Sequence, residues 1–245
     1  MQCADFVIFN MRLDKLLSEM GLLSRTESRK AAKSGQICVD GVPVKSADIH
    51  VDPDKNVITC FGKAVVYKPF TYIMLNKPEG YISATDDVRQ RTVLDLLGER
   101  ERRLGLFPCG RLDKNTLGLL ILTNDGELCH RLLSPKHHVS KVYYFKAERL
   151  ITADDVRRLE CGVTLDGELT KPARLTLCED KMSGYLTLTE GKFHQVKRML
   201  EAVCNKVIYL ERVEFAGIPL DTSLERGEWR ELTAEEEAHL RLFLS

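Results

Sequence analysis

The sequence predicts an α+β protein in two parts: a small helix–helix–hairpin module, then a larger domain of strands with helices inserted between them. Three observations carry this prediction. Leu13, Leu16, Leu17 and Met20 recur at i, i+3, i+4 and i+7 ahead of Gly21, which is one apolar helical face with a stop signal. From Thr71 onward, short β runs bounded by turn residues alternate with helical segments, without strict βαβ order. The 245 residues are 44% hydrophobic and 29% charged, enough to bury a core in one or two domains.

Residues 1–10 carry neither a basic n-region nor a small-residue cleavage site, so they are not a secretory signal, and with Met11 directly before the first patterned helix they read as a disordered extension. After the first helix, Ser24-Arg25-Thr26-Glu27 is a capping box that opens a second one, ended by Gly35. Arg25, Arg29 and Lys33 fall at i, i+4 and i+8 of that helix, a single basic stripe. Gln36–Val39, the Asp40-Gly41 turn and Val42–Lys45 read as a hairpin. The module is assigned to residues 11–60, a linker to 61–70, and the second domain to 71–245.

In that domain Tyr72–Leu75 is a short strand entering the turn Asn76-Lys77-Pro78-Glu79-Gly80. Leu117–Leu122 is a buried strand, and Asp125-Gly126 starts a helix that Pro135 stops. Thr152–Asp155 caps a helix ended by Gly162, and Thr233–Glu236 opens the last one. Residues 171–178, 184–189 and 207–215 read as strands, with a helix from His194 to Val203.

Lys plus Arg equals Asp plus Glu at 36 each, so the net charge gives no general attraction to nucleic acid. The distribution is uneven. Acids crowd positions 225, 228, 231 and 235–237, whereas Arg12 to Lys45 holds seven basic and four acidic residues. No apolar run approaches ~18 residues, the length of a membrane-spanning helix, so no membrane partner is expected. Eight cysteines lie scattered, without a C-x-x-C pair or metal-type Cys/His spacing, which fits reduced thiols, a cytoplasmic location and no metal site. The absence of G-x-G-x-x-G and P-loop words leaves a nucleotide cofactor without support.

The run Gly110-Arg111-Leu112-Asp113-Lys114-Asn115-Thr116-Leu117-Gly118 joins a polar loop to the strand that ends at the turn Asn124-Asp125-Gly126. An arginine and a carboxylate two residues apart, on a loop feeding a buried strand, place a reactive acid on a rigid base. The word GRLD-x-x-T-x-GLLxxTNDG resembles the active-site signature of the small-subunit ribosomal RNA pseudouridine synthases. Three further words agree with that family in order: LNKPEGYIS (75–83), SPKHHVSKVYY (134–144) with its Lys141-x-Tyr143, and EGKFHQVKRM (190–199). LTKPA at 169–173 matches the small-subunit branch. Residues 12–54 resemble the small RNA-binding module shared with a small-subunit ribosomal protein. Cys204-Asn205 stands where the family usually ends a helix with glycine.

The resemblance implies a mixed, mainly antiparallel sheet with flanking helices and a cofactor-independent isomerase that acts on a flipped-out uridine. Asp113 matches the catalytic aspartate. Cleavage of the N1–C1′ bond builds positive charge on the ribose, which a carboxylate stabilises or attacks. Arg111 is expected to fill the space the base vacates, and Tyr143 to pack on the uracil and help remove its C5 proton. Lys197 is expected to pair with Asp113 and keep it ionised and aimed. Lys77, Lys141, His194 and Arg198 are expected at the RNA, as are Arg25, Arg29 and Lys33 in the first module. The implied substrate is uridine 516 of 16S rRNA, free or in a small-subunit assembly intermediate. Separately, two small domains without an extra heptad or apolar face are expected to form a monomer. Large-subunit rRNA is the alternative target. A non-catalytic ribosome-assembly factor is a third reading, and the complete set of words argues against it. Lys181-Met182-Ser183 echoes a tRNA synthetase signature but falls in a predicted hairpin turn, without the partner ATP-binding word.

Overall fold

The computed structural model describes residues 10–244, so the expectation for the N-terminal extension lies outside the described residues except at Asn10. The chain divides into two compact units. One runs to Thr71 and includes Gly98–Leu106; the other holds Tyr72–Leu97 and everything from Phe107.

In the first unit, α1 (Leu13–Glu19) and α2 (Arg25–Lys33) follow the predicted spacing. Ser24 N donates to Glu27 Oε2 at 2.7 Å while Glu27 N donates to Ser24 Oγ at 3.2 Å, so both halves of the capping box form. Leu13, Leu16 and Leu17 are completely buried and pack with Ala31, Ile37 and Ile58. The hairpin β1 (Ile37–Val39) and β2 (Val42–Pro43) belongs to a four-stranded sheet, in the order β2-β1-β3-β4, with β3 (Ile58–Cys60) and β4 (Lys63–Val65).

The stretch expected as a linker therefore contains sheet. Its turn, Phe61-Gly62, places both residues at positive φ, 50° and 73°. A primed hairpin turn needs that geometry, but an aromatic residue gives no turn signal there. A second correction concerns Gly98–Leu106, which the sequence assigns to the large domain. Its short helix α3 (Glu99–Arg102) packs on the first unit, where a Cβ on Gly21 would lie 2.5 Å from Arg100 O.

The second unit is built on a nine-stranded sheet. Its strands are β5 (Tyr72–Lys77), β6 (Leu117–Thr123), β7 (Lys141–Ala147), β8 (Arg174–Leu177), β9 (Ser183–Leu188), β10 (Val207–Phe215) and β11 (Trp229–Glu231). The order is β8-β9-β7-β10-β6-β5-β11, with Phe107–Pro108 added on β6 and Ile218–Pro219 on β10. Pairing is antiparallel except between β10 and β6, where Glu211 and Arg212 face Leu117 and Gly118, so the sheet is mixed and mainly antiparallel. Gly118 sits at φ 94°, and a Cβ there would fall 2.3 Å from Arg212 O, so glycine allows the parallel join directly beyond the Asp113 loop. The edge strand β11, three residues against β5, has no sequence signature of its own.

Two cores flank this sheet. α4 (Gly126–Leu133) and α7 (Ala234–Arg241) bring Leu128, Leu132 and Leu240 against Tyr72, Met74, Leu119, Ile121 and Phe215. α5 (Ala153–Cys161) and α6 (Gln195–Ala202) bring Leu159, Met199 and Leu200 against Phe145, Leu175, Leu186 and Leu210. Past α6, Cys204 takes the left-handed conformation at φ 55° that the family's glycine would otherwise supply. Lys181, also at positive φ, lies in the tight turn between β8 and β9.

Candidate active site

The loop from Gly110 to Thr116 is fixed along its length. Cys109 N bonds Ile121 O at 2.7 Å. Ser83 Oγ accepts from Leu112 N at 3.0 Å and donates to Leu112 O at 2.9 Å. Lys77 Nζ donates to Thr116 O at 2.9 Å, Pro78 O at 3.0 Å and Lys114 O at 3.3 Å. Lys77 is completely buried, and its desolvation lowers the ammonium pKa to about 8. The sequence-based expectation of an RNA contact at Lys77 is therefore corrected: its head satisfies three carbonyls of the loop that carries Asp113.

Asp113 occupies the centre of this arrangement. Its Oδ2 accepts from Lys197 Nζ at 2.5 Å and from Thr116 Oγ1 at 3.4 Å, and its Oδ1 lies 3.4 Å from His194 Nε2. Lys197, on the first turn of α6, also donates to Asn115 Oδ1 at 2.7 Å. The carboxylate thus has a cation and a hydroxyl on one oxygen and His194 beside the other, and Asp113 lines an open cleft. Arg111, Tyr143 and Glu190 line that cleft, and Leu188, Val196 and Leu210 supply an apolar wall.

Tyr143 rises from β7, half-buried against the α6 core, and its hydroxyl makes no hydrogen bond among the described residues. Arg111 is exposed and makes neither a hydrogen bond nor an ion pair among them. Both side chains are available to a ligand.

The remaining expected site residues divide. His194 stands beside Asp113 at the start of α6. Arg198 is largely committed: its guanidinium bonds Phe193 O at 3.3 Å and Asp166 Oδ1 at 2.6 Å. Lys141 is buried. It donates to Val139 O at 2.8 Å and lies 5.7 Å from the Phe215 ring centroid. Burial first, then the nearby Arg212, brings its pKa to about 8, so Lys141 is a core residue and not the RNA contact expected. Arg25, Arg29 and Lys33 are exposed on α2 in the first unit, with Arg29 Nε 3.6 Å from Asp48.

Several contributors escaped the sequence reading. Ser83, Asn115 and Thr116 hold the loop, although all three stand in the words that identified it. Arg212 is a buried cation that bonds Leu119 O at 2.8 Å and lies 4.7 Å over the Phe215 ring. Phe193 is the exposed neighbour of His194.

A family model described as RNA pseudouridylate synthase matches residues 71–202, and an S4 domain model matches residues 11–57. An uncharacterized RNA pseudouridine synthase of Bacillus subtilis is 50% identical over 94% of this chain and 98% of its own length. The ribosomal small subunit pseudouridine synthase A of Escherichia coli K12 is 39% identical over 92% of this chain and 98% of its own. A pseudouridylate synthase crystal structure superposes with a TM-score of 0.66 at 36% identity, covering 94% of this chain and 99% of that one.

Proposed function

The chain belongs to the RNA pseudouridylate synthase family, and on that premise we propose that it isomerises uridine to pseudouridine in small-subunit ribosomal RNA, at the position equivalent to uridine 516 of 16S rRNA. The observation that carries the reading is the Asp113 carboxylate, bound by Lys197 and facing a cleft in which Arg111 and Tyr143 are free to act. The small-subunit relatives and the words at 134–144 and 169–173 support the choice of RNA.

The reaction breaks the N1–C1′ bond, turns the uracil and joins C5 to C1′; the C5 proton leaves and N1 ends protonated. Positive charge gathers on the ribose as the first bond weakens. Asp113 meets it either by attacking C1′ or by taking the C2′ proton, and Lys197 with Thr116 holds the carboxylate in place. Extruding the uridine costs a few kcal/mol of stacking. Arg111 fills the vacated space and Tyr143 packs on the uracil, with its hydroxyl near C5. The step is redox-neutral and calls on no cofactor. The exposed stripe Arg25, Arg29 and Lys33 supplies phosphate contacts from the first unit.

RNA labelled with tritium at uridine C5 tests the activity, because each turnover releases tritium to water. Mapping pseudouridine in rRNA from cells lacking the protein tests the target. Loss of one small-subunit pseudouridine is expected; a loss confined to large-subunit rRNA overturns the choice of RNA, and no tritium release overturns the reaction.

A further inference from the structure

Phe193 is 71% exposed, yet it stands in a tightly held segment between Lys192 and His194, both of which line the active cleft. Its ring stacks on that of His194, with centroids 3.7 Å apart and planes 20° from parallel. His194 sits at φ 50°, a conformation that non-glycine residues adopt only where their surroundings enforce it. Those surroundings are present. Lys192 N donates to Oε1 of the buried Gln195 at 2.8 Å, and Gln195 Nε2 donates to Glu190 at 2.7 Å. Gln195 N returns to Lys192 O at 3.2 Å, and Arg198 bonds the Phe193 carbonyl at 3.3 Å. The protein thus holds an apolar ring in solvent on a strained, multiply anchored backbone.

We propose that Phe193, backed by His194, is the stacking platform for the base adjacent to the target uridine; this rests on the RNA isomerisation assigned above. His194 covers one face of the Phe193 ring and leaves the other open. The backing histidine lies 3.4 Å from Asp113 Oδ1, so a base laid on Phe193 is one nucleotide step from the ribose that Asp113 must reach. Stacking suits the Phe193 segment better than phosphate binding, because the two cations nearest it in the chain are already paired: Lys192 with Glu168 at 2.5 Å and Arg198 with Asp166 at 2.6 Å. Every base offers a π-face, so such a platform grips the strand without reading its sequence. It also replaces part of the stacking that the neighbouring base loses when the uridine leaves the helix.

The test compares Phe193→Ala, Phe193→Leu and Phe193→Trp, using tritium release and filter binding with an in vitro 16S rRNA transcript. Phe193→Ala is expected to raise KM and Kd roughly tenfold while lowering kcat less than threefold. Phe193→Leu should be as impaired as Phe193→Ala, and Phe193→Trp should stay within about twofold of wild type. The salt dependence of binding should be the same in all four proteins. Recovery by Phe193→Leu overturns the proposal in favour of simple apolar cover. A fall in kcat at constant KM overturns it in favour of positioning His194. If wild type releases no tritium, the functional reading fails by itself, and filter binding still decides the platform: Phe193→Ala with wild-type affinity sinks it. A thermal midpoint within a few degrees of wild type excludes misfolding at so exposed a position.

Discussion

Lys197 Nζ lies 2.5 Å from Asp113 Oδ2 across 84 positions of sequence, and its second bond, 2.7 Å to Asn115 Oδ1, ties α6 to the same loop. One ammonium thus sets both the charge balance and the aim of the carboxylate. Lys197→Met should lower kcat by roughly 10- to 100-fold, the worth of a charge-assisted hydrogen bond at a partly buried site. RNA affinity should change little. Single-turnover tritium release and filter binding separate the two effects. A variant in which only the salt dependence of binding changes would make Lys197 a phosphate contact.

Asp113→Asn should abolish isomerisation while leaving RNA binding within a few-fold of wild type. The amide has the shape of the carboxylate but can neither attack C1′ nor neutralise a developing oxocarbenium charge. Asp113 is a quarter exposed and its loop is held through its own backbone by the side chains of Lys77 and Ser83, so the thermal midpoint should barely move. Wild-type turnover by the purified variant would remove Asp113 from the mechanism.

Lys77 gives the chain a pH signature. Its pKa falls from 10.5 unfolded to about 8 folded because burial penalises the ammonium. Below about pH 8 both states hold the proton and the burial cost is felt in full; between about 8 and 10.5 the unfolded chain alone retains it, so the cost fades as pH rises. Relative to Lys77→Met, wild type should therefore gain stability from pH 7.5 to 10, read from urea midpoints. Turnover should move the other way. A neutral amine has two N–H groups for three carbonyls, so kcat should decline above about pH 8 as the Asp113 loop loosens. A parallel pH dependence in the two proteins would show that Lys77 does not titrate in this range.

Local signals were legible in the chain, and contacts between distant segments were not. Ser24, Thr152 and Thr233 each bond a backbone N–H three residues on, so their helices announce themselves within four positions. Leu117–Leu122 reads as a strand because it is an almost unbroken apolar run, and the strand found, Leu117–Thr123, is buried along nearly its whole length. The β3–β4 hairpin was missed because its turn uses Phe61, and the docking of Gly98–Leu106 because no periodicity encodes a return to the first unit. At the site, a lysine in a motif looks the same whether its head meets RNA or turns inward; Lys77 and Lys141 turn inward. The Asp113–Lys197 pairing was expected through family resemblance, since nothing in either residue's neighbourhood reveals the other.

Gly118→Ala should destabilise the second unit by about 2–4 kcal/mol, the range for a steric clash at a strained backbone position. The added Cβ would fall 2.3 Å from Arg212 O, where β6 and β10 run parallel, at a φ of 94° that alanine rarely adopts. Because β6 leads directly from the Asp113 loop, kcat should fall even at temperatures where the variant stays folded. Urea denaturation and tritium release on one preparation check both effects. A stability within 0.5 kcal/mol of wild type would show that the join relaxes easily.

The triple variant Arg25/Arg29/Lys33→Ala isolates what the first unit contributes. These side chains are exposed on α2, while the buried face of Leu13, Leu16 and Leu17 is left untouched. Each phosphate contact adds roughly 0.7–0.9 to the log–log salt slope, so three would add roughly two to three units. Arg29 is shared with Asp48 at 3.6 Å, and the expected decrease is therefore nearer two. KM on long rRNA should rise and kcat at saturation should hold, because Arg111, Asp113, Tyr143 and Lys197 all belong to the other unit. Filter binding across a salt series measures the slope directly. An unchanged slope and affinity would mean that α2 does not touch RNA and that the catalytic unit selects the substrate by itself.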